Sequence, residues 1–534
     1  MRTQINLLSI LQWTFFILAG LLFINSVFFN INTSFIFSFR EQMVNFLIIT
    51  IIFYLTACLV YYLTRNQGLD FFQKRYIFVV YGAMSVIFIF QLIYTSLIHS
   101  SLEHDVQLII LNAQAGSPHE FVWIDYFSLY PNNFLMLFFF RFIHRALALF
   151  NMDGNFIRTL IIVNIVFVNI AVALTFHVVK MAFDVYKAYV AWIFAILLFA
   201  FSPWLIVPYS DTLSMPFAIG AIFLYLKSIN AEKNKKFGYA IAIGVVAQIG
   251  FLLKPSSLIP VIAILIIQVL MDFRLFRSRG KSYKKPIYRS KYIALCIIIG
   301  MSITSVLWTS FIHAQNTFPF VPGVSFPAEH WIKMGMQMQP VGDRFSYGAY
   351  NADDFFFTAS FLTTGEKRAA DREVIRERLA DFGPMGYIHF LINKARWITC
   401  DGTFHWGEFA SGDFENITER QLHFRNLMFP RGADYSTFAH FAQGVWLFIW
   451  FWYFLFIFIK KNTSCVFTNM CICALTGLVL FILLTEGRSR YLINHLPYFA
   501  IISSLCFVSV FQTAQKAIYR LVLMTKETFS DKTA

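Results

Sequence analysis

The chain has 534 residues, of which 58% are hydrophobic and only 13% are charged, whereas about a quarter of the residues in soluble domains are charged. This composition excludes an ordinary soluble protein. The formal net charge of +14 would suggest a nucleic-acid partner in a soluble protein. Here the basic residues lie in loops between apolar runs, where the cytoplasmic anchors of membrane helices are found, so we expect no nucleic-acid partner.

The apolar residues occur in runs of about 20, the length at which a helix crosses the hydrocarbon core of a membrane. Backbone polar groups in lipid must be satisfied within their own segment, so these runs are expected to be helices. The sequence therefore predicts an all-α polytopic protein of the cell membrane. We expect about 12–13 transmembrane helices.

The N-terminal part is predicted to start on the cytoplasmic side. Residues 7–29 are followed by no small-residue cleavage pattern, so they are interpreted as a first membrane helix rather than a signal peptide. Residues 44–64 return to the inside and residues 77–98 exit again. Residues 99–130 then form the first large outer loop, inside a transmembrane module that we assign to residues 1–313.

One segment conflicts with simple alternation across the membrane. Three apolar runs, residues 131–150, 158–179 and 188–205, lie between two loops that are both predicted to be outside. An even number of them must cross fully. Arg141 and Arg145 lie within the first run, and charged side chains are costly at the bilayer centre. We therefore expect residues 131–150 to enter the outer leaflet without crossing.

The orientation is set most strongly by residues 274–291, which contain eight lysines and arginines and no acidic residue. The positive-inside rule places this tract in the cytoplasm. Residues 314–436 then form an extracytoplasmic domain of α or α+β type, with a helix break at Gly383-Pro384. Residues 437–513 are predicted to be C-terminal transmembrane helices, and residues 514–534 a tail that is cytoplasmic, as is the N-terminus.

Charged residues gather at the predicted outer ends of the helices. Glu103-His104-Asp105 follows the third helix, Ser210-Asp211 follows an outer turn, and Lys254 interrupts an outer hairpin. Arg488 and Arg490 lie in another outer link, and together with Lys254 they oppose the positive-inside trend. Arginine binds phosphate with two parallel hydrogen bonds, so these cations could hold a lipid phosphate. The alternatives are an ordinary interfacial belt of aromatic and polar residues, and side chains that extend to lipid headgroups.

Short motifs along residues 77–513 support a resemblance to a known family. They are Asp105 after an exiting helix, Tyr126-Phe127 to Tyr130-Pro131-Asn132-Asn133, Ser202-Pro203 before Ser210-Asp211, Lys254-Pro255, and Glu486 to Ser489-Arg490-Tyr491. In this order the chain resembles GT-C glycosyltransferases, membrane enzymes that use a polyprenyl-phosphate sugar donor. It is most similar to bacterial relatives of protein O-mannosyltransferases and aminoarabinose transferases of the Gram-positive type.

The resemblance implies transfer of a sugar from a polyprenyl-phosphate donor to an acceptor on the outer face of the membrane, with inversion at the sugar carbon. The acceptor would be a cell-wall glycopolymer, a glycolipid or a protein, and membrane lipids would surround the site. Asp105 is the implied general base. The implied or position-based candidates for substrate binding are Glu103, His104, Tyr130, Asn132, Asn133, Ser210, Asp211, Lys254, His330, Lys333, Glu486, Arg488, Arg490 and Tyr491. His330 and Lys333 belong to a stretch that is similar to one in these relatives and could cover the site.

The chain also departs from the family pattern. The large outer loop follows the third helix rather than the first, and the acidic pair of that loop is present only as Glu103 and Asp105 with His104 between them. The histidines His313, His330 and His405 are too scattered to predict a ligand cluster. We therefore expect no cofactor, with a divalent metal as the less favoured alternative.

Two other functions remain open from the sequence. A flippase or transporter for lipid-linked glycans would be expected to show internal repeats and broken helices near the membrane midplane, and no match between the two halves is evident. A polysaccharide polymerase or ligase of related architecture would share the arginine-containing outer sites but act on larger lipid-linked chains.

Overall fold

The computed structural model describes residues 7–28, 39–65, 70–123, 125–279, 285–341, 344–399, 401–410, 412, 417–459 and 465–530. Within these ranges, ten helical segments are long and apolar enough to cross a membrane, and Leu8–Leu22 and Val185–Ala200 are shorter apolar helices. The predicted fold class, an all-α polytopic membrane protein, is confirmed. The predicted basic tract lies partly outside the described residues, at 280–284.

The helices of the N-terminal part are numbered in chain order. They are α1 (Leu7–Phe28), α2 (Phe39–Arg65), α3 (Asp70–Lys74), α4 (Tyr76–Ile98), α5 (His104–Gln114), α6 (Tyr126–Leu129), α7 (Phe134–Ala148), α8 (Phe156–Ala182), α9 (Val185–Ala195), α10 (Ser210–Leu213), α11 (Met215–Asn230), α12 (Lys233–Leu253), α13 (Ile259–Arg279) and α14 (Lys285–Ala314).

The remaining helices include those of the inserted segment and the C-terminal spans. They are α15 (Ala328–Met334), α16 (Ala352–Ala359), α17 (Thr364–Thr399), α18 (Glu419–Met428), α19 (Tyr435–Leu455), α20 (Val466–Leu484) and α21 (Leu496–Ser530). Two short strands, β1 (Met338–Val341) and β2 (Arg344–Tyr347), pair antiparallel with Met338 opposite Tyr347.

Helix α7 has 15 residues. At 1.5 Å per residue it is about 22 Å long, which is less than the roughly 30 Å of a hydrocarbon core. Its Arg141 donates a hydrogen bond from Nη1 to the carbonyl of Ala115 at 2.8 Å, so this cation has a protein partner. Both features are consistent with the expectation that residues 131–150 do not cross the membrane.

Helices α12 and α14 approach each other closely because two glycines face each other. A Cβ atom added at Gly244 would collide with the carbonyl oxygen of Ile297, and one at Gly300 would collide with that of Ile241. Small residues at such a contact let two helix backbones pack tightly, which is a main source of helix association in lipid.

The first two helices pack against the C-terminal part of the chain. The ring of Phe15 in α1 contacts Tyr453 at 4.6 Å between centroids, and the ring of Phe53 in α2 stacks on Phe448 at 4.3 Å. Residues at the two ends of the sequence therefore share one core, which includes these aromatic pairs.

The inserted segment has its own buried ionic network. Lys333 of α15 lies 2.7 Å from a carboxylate oxygen of Asp371 in α17, and Arg378 binds both carboxylate oxygens of Asp354 in α16. Helix α17 is interrupted at Gly383, whose φ of +57° is left-handed, and Pro384 follows it. The predicted break at this dipeptide is confirmed.

Candidate functional site

The predicted catalytic residue Asp105 is the second residue of α5. The chain before it is fixed to a later segment, since the amide of Glu103 donates to the carbonyl of Phe409 at 3.1 Å and Leu102 forms a β-bridge with Ala410. His104 has a φ of +58°, a left-handed conformation that is uncommon for residues other than glycine. Such backbone strain persists only where the surroundings impose it, so the entry to α5 is held firmly.

Two tyrosines flank the carboxylate of Asp105. Tyr209 donates a hydrogen bond from its hydroxyl to Oδ2 at 2.9 Å, and the side chain of Asn133 donates to the hydroxyl oxygen of Tyr126 at 2.6 Å. Burial and the charge of Asp105 raise the pKa of Tyr126 and of Tyr209 well above the usual value. Both phenols therefore stay protonated and can donate to the carboxylate.

The predicted residues Asn132 and Asn133 form a chain of side-chain hydrogen bonds that leads to Tyr126. Asn132 donates from Nδ2 to Oδ1 of Asn133 at 3.1 Å, and Asn133 in turn holds Tyr126. Tyr130 packs its ring against Trp331 at 5.7 Å, and burial followed by the charge of Asp105 raises its pKa. These residues orient the surroundings of the carboxylate.

The loop that presents Tyr209 and Asp211 is held by buried polar contacts. Asn164 of α8 donates from Nδ2 to the carbonyls of Trp204, Leu205 and Val207, at 2.9, 3.0 and 3.1 Å. The indole of Trp204 donates to the carbonyl of Phe404 at 3.2 Å. The loop therefore has fixed partners on both sides, and it ends at α10, whose first two residues are the buried Ser210 and Asp211.

The carboxylate of Asp211 is fully buried and binds two cations. Its Oδ1 pairs with Nζ of Lys254, and its Oδ2 lies 2.9 Å from Nη1 of Arg490. The guanidinium of Arg490 also lies over the rings of Tyr209, Phe409 and Tyr491, at 5.3, 4.8 and 4.7 Å. Two cationic side chains therefore share one carboxylate, and burial lowers the pKa of Lys254 against the opposing effect of Asp211.

The link between α20 and α21 forms the next wall. Tyr491 donates from its hydroxyl to Oε1 of Glu486 at 2.8 Å, and its ring faces Nζ of Lys254 at 4.5 Å. The pKa of Tyr350 is raised by burial and then by the charges of Asp105 and Glu486. Asp105 and Glu486 therefore both lie near Tyr350.

Sequence reasoning missed Lys394, which is fully buried beneath this link. Its ammonium donates to the carbonyls of Gly335, Leu483 and Thr485, at 2.7 and 3.0 Å for the first two. Burial lowers the pKa of Lys394 to about 7, against a smaller opposing effect of Glu486. The sequence offered one signal for this residue, which is that a lysine lies within the apolar-periodic part of α17.

A second missed group surrounds Arg488, whose guanidinium pairs with the carboxylate of Glu408. His405 lies between two carboxylates, with Nδ1 at 3.0 Å from Asp401 and Nε2 at 3.5 Å from Glu408. Burial alone would raise the pKa of Glu408, but Arg488 and His405 overcome this effect and lower it. The sequence showed no motif around these residues.

The structure does not bring the side chains of His330 and Lys333 to this site. Both are fully buried in the inserted segment, where Nδ1 of His330 lies 2.8 Å from Oγ1 of Thr358 and Lys333 binds Asp371. Burial lowers the pKa of His330 to about 3, so it is neutral. Helix α15 reaches the site through Trp331, whose carbonyl accepts from the amide of Glu486 at 2.8 Å. The predicted covering role of the His330 and Lys333 side chains does not fit this placement.

The other predicted residues do come together. Asp105, Tyr130, Asn132, Asn133, Asp211, Lys254, Glu486, Arg490 and Tyr491 are joined by the contacts above, with Glu103, His104 and Arg488 along one edge and Ser210 buried directly before Asp211 in α10. Across the residues that the structure describes, no three His, Cys, Asp or Glu side chains come close enough to hold a metal ion. We call this set, centred on Asp105 and Asp211, the outer cluster.

The spans and the outer cluster define a multi-pass integral membrane protein with acidic and basic side chains gathered at the ends of several helices. The chain belongs to the family described as "Conserved hypothetical integral membrane protein", whose family model matches residues 1–511. No match is found among curated proteins or among solved structures.

Proposed function

We propose that this protein is a GT-C glycosyltransferase that moves a sugar from a polyprenyl-phosphate donor to an acceptor at the outer face of the cell membrane. One observation carries the proposal: Tyr209 joins the carboxylate of Asp105 to the Arg490–Asp211–Lys254 group. A candidate base and a pair of cationic side chains thus lie side by side. They come from four helix ends that are far apart in the sequence.

The reaction needs a base more than an acid. The oxygen of the acceptor hydroxyl attacks the anomeric carbon, and Asp105 takes its proton. The bond between that carbon and the phosphate oxygen breaks, and polyprenyl phosphate leaves with the electron pair. A single displacement of this kind inverts the sugar carbon, and a positioned base contributes about 10²–10⁴-fold to the rate.

The Arg490–Asp211–Lys254 group is suited to the leaving phosphate. Lys254 and Arg490 share Asp211, so two cationic side chains lie together in surroundings where charges interact more strongly than in water. Arg490 is packed between aromatic rings, which fixes the direction of its donors. Arg488 contributes less in this proposal, because Glu408 already pairs with it.

The proposal includes the orientation and partners expected from the sequence. With the basic tract 274–291 in the cytoplasm, both termini are cytoplasmic and the outer cluster faces outward. The donor reaches the site from the membrane lipid, and the acceptor is a glycopolymer, a glycolipid or a protein. No metal or other cofactor takes part. The charged groups lie at the ends of spans, which favours surface chemistry over passage of a glycan through the midplane.

The test uses purified protein with a set of synthetic polyprenyl-phosphate sugars and water as the stand-in acceptor. We expect slow release of sugar by the wild type from at least one donor, and a fall of at least about a hundredfold in Asp105→Asn with donor binding retained. Asp353→Asn is the matched control, because Asp353 is an exposed aspartate of the inserted segment. A wild-type protein that binds no donor would refute the proposal.

A further inference from the structure

A recess of about 230 Å³ opens beside the outer cluster. One wall is the chain that enters α5, and the others are the segment that contains Glu408 and the turn after α18. Its charged and larger lining residues are Glu103, His104, Glu408, Phe429, Pro430 and Arg431. Neither Asp105 nor the Arg490–Asp211–Lys254 group lines this space.

The walls of the recess are fixed by backbone contacts. The Glu103 amide bonds to Phe409, and a Cβ atom added at Gly407 would collide with the ring of Pro430. Arg425 of α18 donates to the carbonyl of His99, just beyond the end of α4. The recess is therefore present before any ligand arrives, as is usual for small-molecule sites.

The recess carries charges that are available to a ligand. Among the described residues, neither Glu103 nor Arg431 takes part in a salt bridge, although they line the same space. Glu408 is ionised and held by Arg488. Carboxylates accept hydrogen bonds and a guanidinium donates them, which matches a ligand that is rich in hydroxyl groups. Two carboxylates beside one unpaired guanidinium disfavour a polyanion.

The residues that line the recess are close in sequence to those proposed to react. Glu103 and His104 directly precede Asp105, and Arg488, the partner of Glu408, lies two residues before Arg490. The recess is therefore walled by the segment that leads directly into the proposed base, while the proposed phosphate group lies around Asp211. We infer that the recess binds a neutral saccharide acceptor and directs one of its hydroxyls toward Asp105. This inference rests on the proposed glycosyl transfer and names its acceptor class.

The first experiment measures acceptor binding without donor. A panel of neutral di- and trisaccharides, polyol-phosphate oligomers and serine-containing peptides is titrated into the full-length protein, with binding followed calorimetrically. We expect a neutral saccharide to bind, and Glu103→Gln and Arg431→Ala each to weaken it at least about tenfold. Arg420→Ala is the control, because Arg420 is exposed on α18 outside the recess. Binding only of polyanions or peptides, binding of none, or unchanged affinity in both variants would overturn the inference.

The second experiment separates the inference from the proposed function. Release of sugar to water reports on the donor and Asp105, whereas transfer to the bound saccharide also needs the recess. Arg431→Ala is expected to retain release to water within about twofold while losing transfer through a raised KM. If release and transfer fall together, the recess is part of the donor site and the inference fails. If the wild type binds saccharide but releases nothing from any donor, the proposed function fails and the saccharide site stands.

Discussion

Asp211→Asn tests the central ionic group of the outer cluster. The fully buried carboxylate compensates Lys254 and Arg490, whose side chains are each 10% exposed. Removing one partner of a buried ion pair leaves an uncompensated charge and costs about 3–5 kcal/mol. Because two cations lose their shared partner here, we expect a loss of folding free energy near the upper end of that range.

The same geometry predicts that replacing Lys254 and replacing Asp211 lower the stability by unequal amounts. Lys254→Met leaves Asp211 paired one-to-one with Arg490, so it is expected to cost clearly less than Asp211→Asn. In the double variant only one uncompensated cation remains, so Lys254→Met should recover part of the stability lost in Asp211→Asn. Unfolding in mixed micelles of increasing SDS content, followed by tryptophan fluorescence, gives the free energies, with Asp353→Asn as control. The reasoning is refuted if Asp211→Asn is as stable as the wild type, or if Lys254→Met makes it still less stable.

Three further predictions follow from single contacts. Tyr209→Phe removes a hydrogen bond to the charged Asp105 and should slow sugar release about 10- to 100-fold without changing donor affinity, and an unchanged rate would contradict it. Gly244→Ala drives a methyl group into the backbone of α14 and should lower the thermal midpoint, whereas Gly238→Ala on the same helix meets nothing within 4 Å and should not. Lys394 has a folded-state pKa of about 7, below its ordinary value of 10.5. Between these two pH values the unfolded state binds more protons than the folded state, so this residue makes the stability of the fold rise with pH. Lys394→Met should therefore reduce the rise in thermal midpoint between pH 7 and 10, and an unchanged slope would exclude this role.

The fold class can be predicted from the sequence because the lipid environment constrains each apolar run by itself. A run such as residues 77–98 must satisfy its own backbone in lipid, so its length and composition are enough to predict helix α4. The break at Gly383 could also be predicted locally. Glycine readily adopts the left-handed φ found there, and the proline that follows it disfavours a continuous helix. The shortness of α7 was indicated by charged residues within an apolar run.

The pairings in the outer cluster could not be predicted in this way. Asp211 lies 43 residues from Lys254 and 279 residues from Arg490, and the sequence showed only that each was at a helix end. The packing of the spans decides which of these charges meet. From the sequence, Lys254, Arg488 and Arg490 were all expected to bind a phosphate. In the structure, each of them already has a carboxylate partner.

In the inserted segment, the sequence singled out side chains that lie away from the outer cluster. His330 and Lys333 were selected because their stretch is similar to one in known relatives, but their partners Thr358 and Asp371 come from later helices and bury them. Conversely, Asp401 and His405 were not selected, because a histidine held by a buried carboxylate is recognised from geometry rather than from spacing. Polar residues in this segment became interpretable only once their neighbours were known.

The most direct test of the account is the rate of sugar release by the wild type and Asp105→Asn, measured side by side on the donor that binds best. The account predicts measurable release by the wild type and a rate at least about a hundredfold lower in the variant, at equal donor affinity. Equal release by the two proteins would show that Asp105 is not the base and would contradict the proposed mechanism.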